Sequence, residues 1–151
     1  MKKEAKAARV IVGRLKKGDD LLEALTKECA ASGIVLGEVR AIGAVSRARV
    51  GYYDQASRRY RYLDFGEPME ILFLAGNISL KEGRPFVHAH VTLADGEGRA
   101  CGGHLAEGTE VFACEFVIRE YLSGEPFERA FDPETGLFLW PEKREAEEIG
   151  K

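Results

Sequence analysis

Three histidines, His88, His90 and His104, are the residues whose type and spacing point most directly to chemistry in this 151-residue chain. They lie within seventeen consecutive residues, on two strand-like runs that flank the turn sequence Asp95-Gly96-Glu97-Gly98. Glycines at such positions favour a short hairpin loop because they accept positive φ angles. Since strand side chains alternate between two faces, His88 and His90 should share one face. The sequence therefore predicts a β-hairpin with imidazole groups on one side.

The length of the hairpin loop decides whether His104 joins that face. A three-residue loop at Gly96-Glu97-Gly98, with its last glycine in the left-handed conformation, places His104 directly opposite His90. A two-residue loop at Gly96-Glu97 shifts the pairing by one residue and sends His104 to the other face. A bulge at Gly102-Gly103 could restore it. The sequence leaves these registers open.

Three converging imidazoles are a ligand set for a divalent metal, most naturally Zn²⁺, with a fourth coordination position left open. That position could hold water or a carboxylate from a ligand or a partner subunit. Nickel, copper, iron and manganese accept the same donors, so the ligand type does not fix the metal. The alternative interpretation is three ordinary half-buried or proton-switching histidines.

A metal-dependent enzyme would also need a general base, and four carboxylates are candidates that the sequence does not rank. These are Glu70, Asp95, Glu107 and Glu110. Nucleophilic catalysis has no support, because Ser46, Ser79 and Thr92 have no base and carboxylate partners at motif spacing. No sequence feature identifies a substrate, so the catalytic residues of any such enzyme stay unassigned.

Arginine and tyrosine side chains alternate in one segment of the chain and could stack on or neutralise nucleic acid. They are Arg47, Arg49, Arg58, Arg59 and Arg61, with Tyr52, Tyr53, Tyr60 and Tyr62. A solvated pair of strands with amphipathic side chains explains the same residues and is the preferred interpretation. The Gly-Arg-Pro core of an AT-hook occurs at Gly83-Arg84-Pro85, but an acidic residue precedes it, so we interpret it as a turn.

Cysteine count and spacing argue against both a disulfide framework and a cysteine-based zinc site. Cys29, Cys101 and Cys114 are an odd number and show no C-x-x-C pattern. We expect three buried free thiols.

The elements that would position the histidines belong to a mostly antiparallel sheet with one flanking helix. Asp19 or Asp20 can cap that helix and Gly33 can end it. Runs with strand-like composition follow the helix, and Val111 to Tyr121 is interpreted as a long core strand because of its Val, Ile and Phe content. The expected strands are 8–16, 35–42, 47–53, 60–65, 69–79, 86–94, 99–104 and 111–121, with a last hairpin at 128–138.

Length and composition predict a single domain over residues 1–151, with its core at about 8–140 and a charged tail at 142–151. The helix and the strand-like runs make α+β its expected class. The net charge of −3 disfavours binding of DNA by the chain alone, since phosphate-binding domains usually carry a basic excess. No apolar run has the length of a membrane span or a signal peptide, so a cytoplasmic location is expected.

Five segments together resemble the plants-and-prokaryotes-conserved (PPC) domain, in its stand-alone prokaryotic form. They are Leu15-Lys16-Lys17-Gly18-Asp19-Asp20-Leu21, Ile42-Gly43-Ala44-Val45, Glu70-Ile71-Leu72-Phe73-Leu74-Ala75-Gly76-Asn77, His88-Ala89-His90-Val91 and Gly102-Gly103-His104-Leu105. The order and spacing of these segments cover most of the chain. The resemblance implies an α+β fold assembled as a homotrimer, with the histidine trio matching a metal site of some members.

Plant members of that family join the domain to AT-hooks and act as DNA-binding regulators, whereas this chain has no hook. It also has Glu67-Pro68-Met69 where the plant domains carry Gly-Arg-Phe before Glu-Ile-Leu. The resemblance therefore implies a metal-binding, trimeric protein of undefined activity. A transcription-associated DNA-binding protein and a metal-dependent enzyme acting on a small molecule are the alternatives.

Overall fold

A computed structural model of the protein describes residues 2–142. The predicted charged tail at 142–151 lies, beyond its first residue, outside this range. No helix within the described range is long and apolar enough to cross a membrane.

The single helix of the described chain, α1, runs over Leu21–Ala31. Asp20 is its N-cap, and one carboxylate oxygen of Asp20 accepts a hydrogen bond from the backbone N–H of Glu23 at 3.0 Å. Such a bond satisfies an N–H that has no partner within the helix. Gly33 follows the end of the helix with a φ of +67°, a conformation that suits glycine. Both ends of the helix therefore lie where the sequence predicts them.

Nine strands make up the rest of the fold, and all but one of their pairings are antiparallel. Their bounds are β1 Lys6–Leu15, β2 Gly37–Asp54, β3 Arg59–Phe65, β4 Met69–Lys81, β5 Arg84–Ala94, β6 Ala100–Leu105, β7 Glu110–Leu122, β8 Glu128–Asp132 and β9 Leu137–Leu139. The exception is the short parallel pairing of β4 with β8. The predicted fold class, α+β with a mostly antiparallel sheet and one flanking helix, is confirmed, as is the strand predicted at Val111 to Tyr121.

The order of strands along the sheet is β1-β7-β2-β6-β5-β4-β8-β9, and β3 pairs with β2 outside this order. An additional pairing joins β2 to β4. Strands β2, β6, β5 and β4 therefore pair in a closed circuit. The hairpin of β5 and β6 that carries the histidines is hydrogen-bonded on both of its outer edges.

One expectation was wrong, because the strands predicted at 35–42 and 47–53 are a single strand, β2, of 18 residues. Gly43, with a φ of +143°, lies at the point where the pairing with β4 shifts register. A β-carbon at this position would lie 2.1 Å from the carbonyl oxygen of Ala113. The glycine therefore allows β2 to bend against β7 where the sequence suggested that the strand ends.

Apolar side chains from α1 and from one face of the sheet form one buried cluster. Leu21, Leu25 and Cys29 of the helix are fully buried, and the helix packs against β5. On β5, Val87, Ala89, Val91 and Leu93 are buried, whereas the alternate residues from Phe86 to Thr92 are at least partly accessible. Burial of that face, worth about 1.5–3 kcal/mol for each large aliphatic side chain, leaves the opposite face for the histidines.

Candidate metal centre

Backbone register places the three histidines on one face of the β5–β6 hairpin. His88 and His90 are two residues apart on β5, and His90 pairs directly with His104 of β6. The loop has Gly98 at a φ of +78° and a hydrogen bond from the N–H of Asp95 to the carbonyl oxygen of Arg99. This is the three-residue loop, and no bulge separates Ala94 from His104 in the pairing.

The three imidazole rings lie close enough together to share one ion. One potential ligand atom from each ring lies within 4.8 Å of those of the other two. The ring centroids are 5.4 Å apart for His88 and His90, 5.1 Å for His88 and His104, and 5.4 Å for His90 and His104. His88 and His104 are half-buried, whereas His90 is exposed. The cluster therefore lies at the edge of the protein interior, with access for an ion from one side.

The surroundings of His104 leave one of its nitrogens without a partner. Its Nδ1 atom is buried and makes no hydrogen bond with the described residues. On one side His104 faces His90, and on the other it pairs with Gly51 of β2, which has no side chain to fill the space. The ring of Tyr60 packs against it with centroids 5.1 Å apart. A buried polar atom without a partner is unfavourable, so this nitrogen is suited to a ligand outside the chain.

Two of the rings are held in the neutral form that binds metals. Burial, together with nearby His104, Arg129 and His90, lowers the pKa of His88 to about 4. The pKa of His104 is also lowered, first by burial and then by His90 and Arg129. Since a metal binds the unprotonated imidazole, these residues offer free nitrogens at neutral pH without first losing a proton. The donor set therefore fits a divalent metal ion.

Sulfur ligands do not contribute to this centre. The cysteines are free thiols, and Cys29 and Cys114 are buried as predicted, whereas Cys101 is only half-buried. Burial raises the pKa of Cys29 to about 12 and that of Cys114 to about 11, so both remain thiols at neutral pH. The partial exposure of Cys101 corrects the expectation of three buried thiols, because this residue lies at the start of β6, next to the hairpin loop.

A cavity of about 290 Å³ lies beside the histidines. His88 and His104 form part of its wall, and Arg58, Lys81 and Arg129 bring three positive charges to it. Aromatic side chains of Tyr53, Tyr60, Phe86 and Phe138 line it as well, and Gly136, Leu137 and Leu139 complete the wall. No carboxylate from residues 2–142 lines this cavity, so the space next to the histidines is positively charged.

None of the four carboxylates considered as a general base reaches this cavity. Asp95 and Glu70 line a different depression, and Asp95 bonds to Arg99 across the hairpin loop. Glu110 forms an ion pair with Arg47 at 3.2 Å. Glu107 lies in the turn after β6 and is exposed. The arrangement therefore provides a metal ligand set without a general base from the described part of the chain.

Arg129 and Lys81 are the residues near this site that sequence reasoning missed. Arg129 lies on β8, about 25 residues after the last histidine, and reaches the site only because β8 pairs in parallel with the end of β4. No spacing rule connects a residue on β8 to a hairpin formed by β5 and β6. The sequence carried no signal for it either, because Glu128 and Asp132 make β8 a strand in which Arg129 does not stand out.

The arginine and tyrosine segment forms the β2–β3 hairpin, and its charges are largely balanced by the chain itself. Arg49 lies 3.6 Å from Asp64 and its guanidinium stacks over Tyr62. Arg61 lies over Tyr52, with Asp54 at 4.0 Å. These contacts favour the solvated strand pair. The same hairpin also contributes Tyr53, Arg58 and Tyr60 to the cavity beside the histidines, which the sequence did not predict.

Comparison with known families gives one clear match over most of the chain. The family model described as the Plants and Prokaryotes Conserved (PCC) domain matches residues 2–122. This range contains all three histidines and ends with β7.

Solved structures with the same fold come from several prokaryotes. A metal-containing protein from Archaeoglobus fulgidus is 45% identical, with a TM-score of 0.87 over 94% of this chain and 100% of its own. A plant- and prokaryote-conserved protein from Pyrococcus horikoshii is 35% identical, with a TM-score of 0.88 over 95% and 99%. A candidate DNA-binding protein from Bacteroides thetaiotaomicron is 26% identical, with a TM-score of 0.82 over 93% and 99%.

Curated relatives of known name are much longer proteins. The bifunctional protein GlmU of a Synechococcus strain is 35% identical over 130 residues, which cover 85% of this chain and 20% of that protein. The chain thus spans about a fifth of the length of the curated relatives it matches.

Proposed function

This chain belongs to the Plants and Prokaryotes Conserved domain family, and from that premise we propose that it binds a divalent metal ion, preferentially Zn²⁺, through His88, His90 and His104. The observation that carries the proposal is the convergence of the three imidazoles, each with a potential ligand atom within 4.8 Å of those of the other two. The buried Nδ1 atom of His104, which has no partner in the described chain, supports it. The metal-containing relative from Archaeoglobus fulgidus supports it.

The chemistry of the donors argues for zinc among the divalent metals. Three neutral nitrogens and no thiolate suit a borderline-soft ion with four ligands, of which three come from the protein. When bound, such an ion acts as a Lewis acid at its open position. The protein itself holds the rings: the β5–β6 register fixes the separation of His90 from His104, and Tyr60 packs against the ring of His104.

Metal analysis of the purified protein tests this proposal. We expect about one equivalent of metal per chain in the native protein after incubation with Zn²⁺ and removal of excess, and none in the triple variant with alanine at all three histidines. Thr92→Ala is the matched control, because Thr92 is the next exposed residue on the same face of β5. Equal metal content in the triple variant and the native protein would contradict the proposal.

We further propose that the chain assembles as a homotrimer, as the family resemblance implies. Large apolar side chains are exposed on the sheet, which favours association with other chains. They include Val12 of β1, Leu63 of β3, Leu72 and Phe73 of β4 and Phe112 of β7. Light scattering during gel filtration should give three times the chain mass of 16.7 kDa, and a monomer mass would contradict the proposal.

DNA binding is a second candidate function, favoured by the similar candidate DNA-binding protein from Bacteroides thetaiotaomicron. The net charge of −3 and the internal ion pairs of Arg47, Arg49 and Arg61 weigh against it unless assembly gathers arginines from several chains. A salt-dependent mobility shift of duplex DNA at physiological ionic strength would support it, and no shift under those conditions would contradict it.

A further inference from the structure

Arg129 is a buried cation with no anionic partner among residues 2–142. Its side chain is part of the protein interior, with only 8% of the residue exposed. No carboxylate from residues 2–142 lies within ion-pair distance of Arg129, Lys81 or Arg58, although other basic residues in this range form such pairs. A buried charge is costly unless it is both hydrogen-bonded and paired with an opposite charge. The cavity that these three cations line is therefore suited to a negatively charged ligand.

Hydrogen bonds fix the orientation of Arg129 and leave part of it free. Its Nε atom donates to the hydroxyl of Ser79 at 3.0 Å, one terminal nitrogen donates to the carbonyl oxygen of Phe138 at 3.1 Å, and the other donates to Oδ1 of Asn77 at 2.6 Å. A guanidinium has five N–H donors, so two are not used by these bonds. Asn77 pairs with His88 across β4 and β5, which brings the guanidinium beside the histidine cluster.

Lys81 adds a second positive charge to the same cavity. Its amino group lies 4.1 Å from the ring centroid of Phe138 and 5.4 Å from that of Phe86. These aromatic rings, together with Tyr53 and Tyr60, give the cavity an apolar surface next to its charges. Pockets with apolar walls and a few charged groups bind small organic molecules whose charged end is oriented by the polar groups.

We propose that this cavity binds a small organic oxyanion, a carboxylate or a phosphate ester with a planar apolar body. One anionic oxygen reaches the open coordination position beside His88 and His104, the remaining negative charge contacts Arg129 and Lys81, and the body lies against Phe86, Phe138 and Tyr60. The inference rests on the metal site proposed above, and it deepens that proposal by naming the class of ligand.

Part of the wall of this cavity lies outside the family match. The family model covers residues 2–122, whereas Arg129 and the residues 136–139 belong to the β8–β9 hairpin. The histidines, Lys81 and Arg58 therefore come from the common domain, and the segment that follows it adds Arg129 and Phe138 to the cavity.

Binding of defined probes to the cobalt-loaded protein tests this inference. Metal content is measured first, and the visible absorption of Co²⁺ is then followed while benzoate, phenyl phosphate or the neutral benzyl alcohol is added. We expect a saturable spectral change with at least one anion and none with benzyl alcohol. The anion that binds with the higher affinity identifies the preferred head group as a carboxylate or a phosphate. An equal response to benzyl alcohol would overturn the inference.

Two variants separate the cavity from the metal site. Lys81→Met and Arg129→Lys should keep the bound metal. Each should lower the affinity for the preferred anion by about tenfold or more, because each changes a cation that contacts the anion. Lys27→Met, on the exposed face of α1, is the matched control and should bind the anion as the native protein does. If Arg129→Lys fails to fold, Lys81→Met alone carries the test.

The outcomes distinguish the two proposals. Absence of bound metal in the native protein overturns the metal site and, with it, this inference. Metal bound without any spectral response to the anions overturns the inference and leaves the metal site intact. Unchanged anion affinity in folded, metal-loaded Lys81→Met also overturns it.

Discussion

His90 and His104 face each other directly across the antiparallel pair of β5 and β6, with their ring centroids 5.4 Å apart. This relationship is set by the backbone, because side chains opposite each other in such a pair always lie on the same face. A shift of one residue in the pairing would turn His104 toward the apolar core. The candidate metal centre therefore depends on the geometry of the loop that joins the two strands.

Gly98→Ala should destabilise the protein by about 1–2 kcal/mol, because the φ of +78° at this position is unfavourable for a residue with a β-carbon. No atom lies within 4 Å of the added group, so the cost is conformational. Gly96→Ala, in the same loop but without a positive φ, is the control and should change stability little. Urea unfolding measures both, and equal stabilities would contradict this view of the loop.

Gly102→Ala should destabilise the protein more than Gly98→Ala does, because the added β-carbon would lie 2.2 Å from the carbonyl oxygen of Val91 on the neighbouring strand. Backbone atoms cannot give way as a flexible side chain can, so the β5–β6 pairing must separate locally. We expect a loss of about 1–3 kcal/mol and a lower metal content. Gly124→Ala, where nothing lies within 4 Å, is the control. If Gly102→Ala were as stable as the native protein, β5 and β6 would have to lie farther apart than this 2.2 Å contact implies.

The stability of the metal-free protein should decrease as the pH falls from about 6.5 toward 4. Burial and the neighbouring His104, Arg129 and His90 lower the pKa of His88 to about 4 from 6.5. The unfolded chain therefore takes up this proton at a higher pH than the folded chain, and acid favours unfolding. Thermal unfolding at pH 7.5 and pH 4.5 measures the effect. His88→Gln should show a weaker dependence on pH, and an unchanged dependence would contradict the assignment.

Asp20→Ala should destabilise the protein by about 1–2 kcal/mol, and Asp19→Ala by less. One oxygen of Asp20 caps α1 at Glu23, and the other accepts a hydrogen bond from the backbone N–H of Gly108 at 2.6 Å. The carboxylate thus connects the helix to the turn that follows β6. Asp19 accepts only the 3.2 Å bond from the N–H of Lys16. Denaturant unfolding compares the two, and the opposite order of stabilities would contradict this assignment of the cap.

Sequence reasoning was most reliable where local chemistry determines structure. Alternation along β5 predicted a shared face for His88 and His90, and the glycines of the loop limited the register to a few choices. The cap at Asp20 or Asp19 and the helix end near Gly33 were local as well. Such features depend on residues that are close together in the chain, so the pattern alone contains them.

Long-range pairing decided the features that were not predicted. Gly43 lies within a continuous strand because both β4 and β7 pair across it, and neither partner is visible from the sequence around the glycine. Arg129 reaches the histidines through the parallel pairing of β8 with the end of β4. The choice between Asp19 and Asp20 also depended on Gly108, which lies almost ninety residues away.

The closed circuit of β2, β6, β5 and β4 has a consequence for the dynamics of the candidate metal centre. A hairpin at the border of a sheet can fray by itself, whereas this one is hydrogen-bonded to β4 along one edge and to β2 along the other. Because N–H groups alternate between the two sides of a strand, the amide hydrogens of His90 and Val91 can exchange with solvent only when β5 separates from β4 or from β6. They should be among the slowest-exchanging amides of the protein, so the histidines keep their spacing during ordinary thermal fluctuations, before any ion arrives.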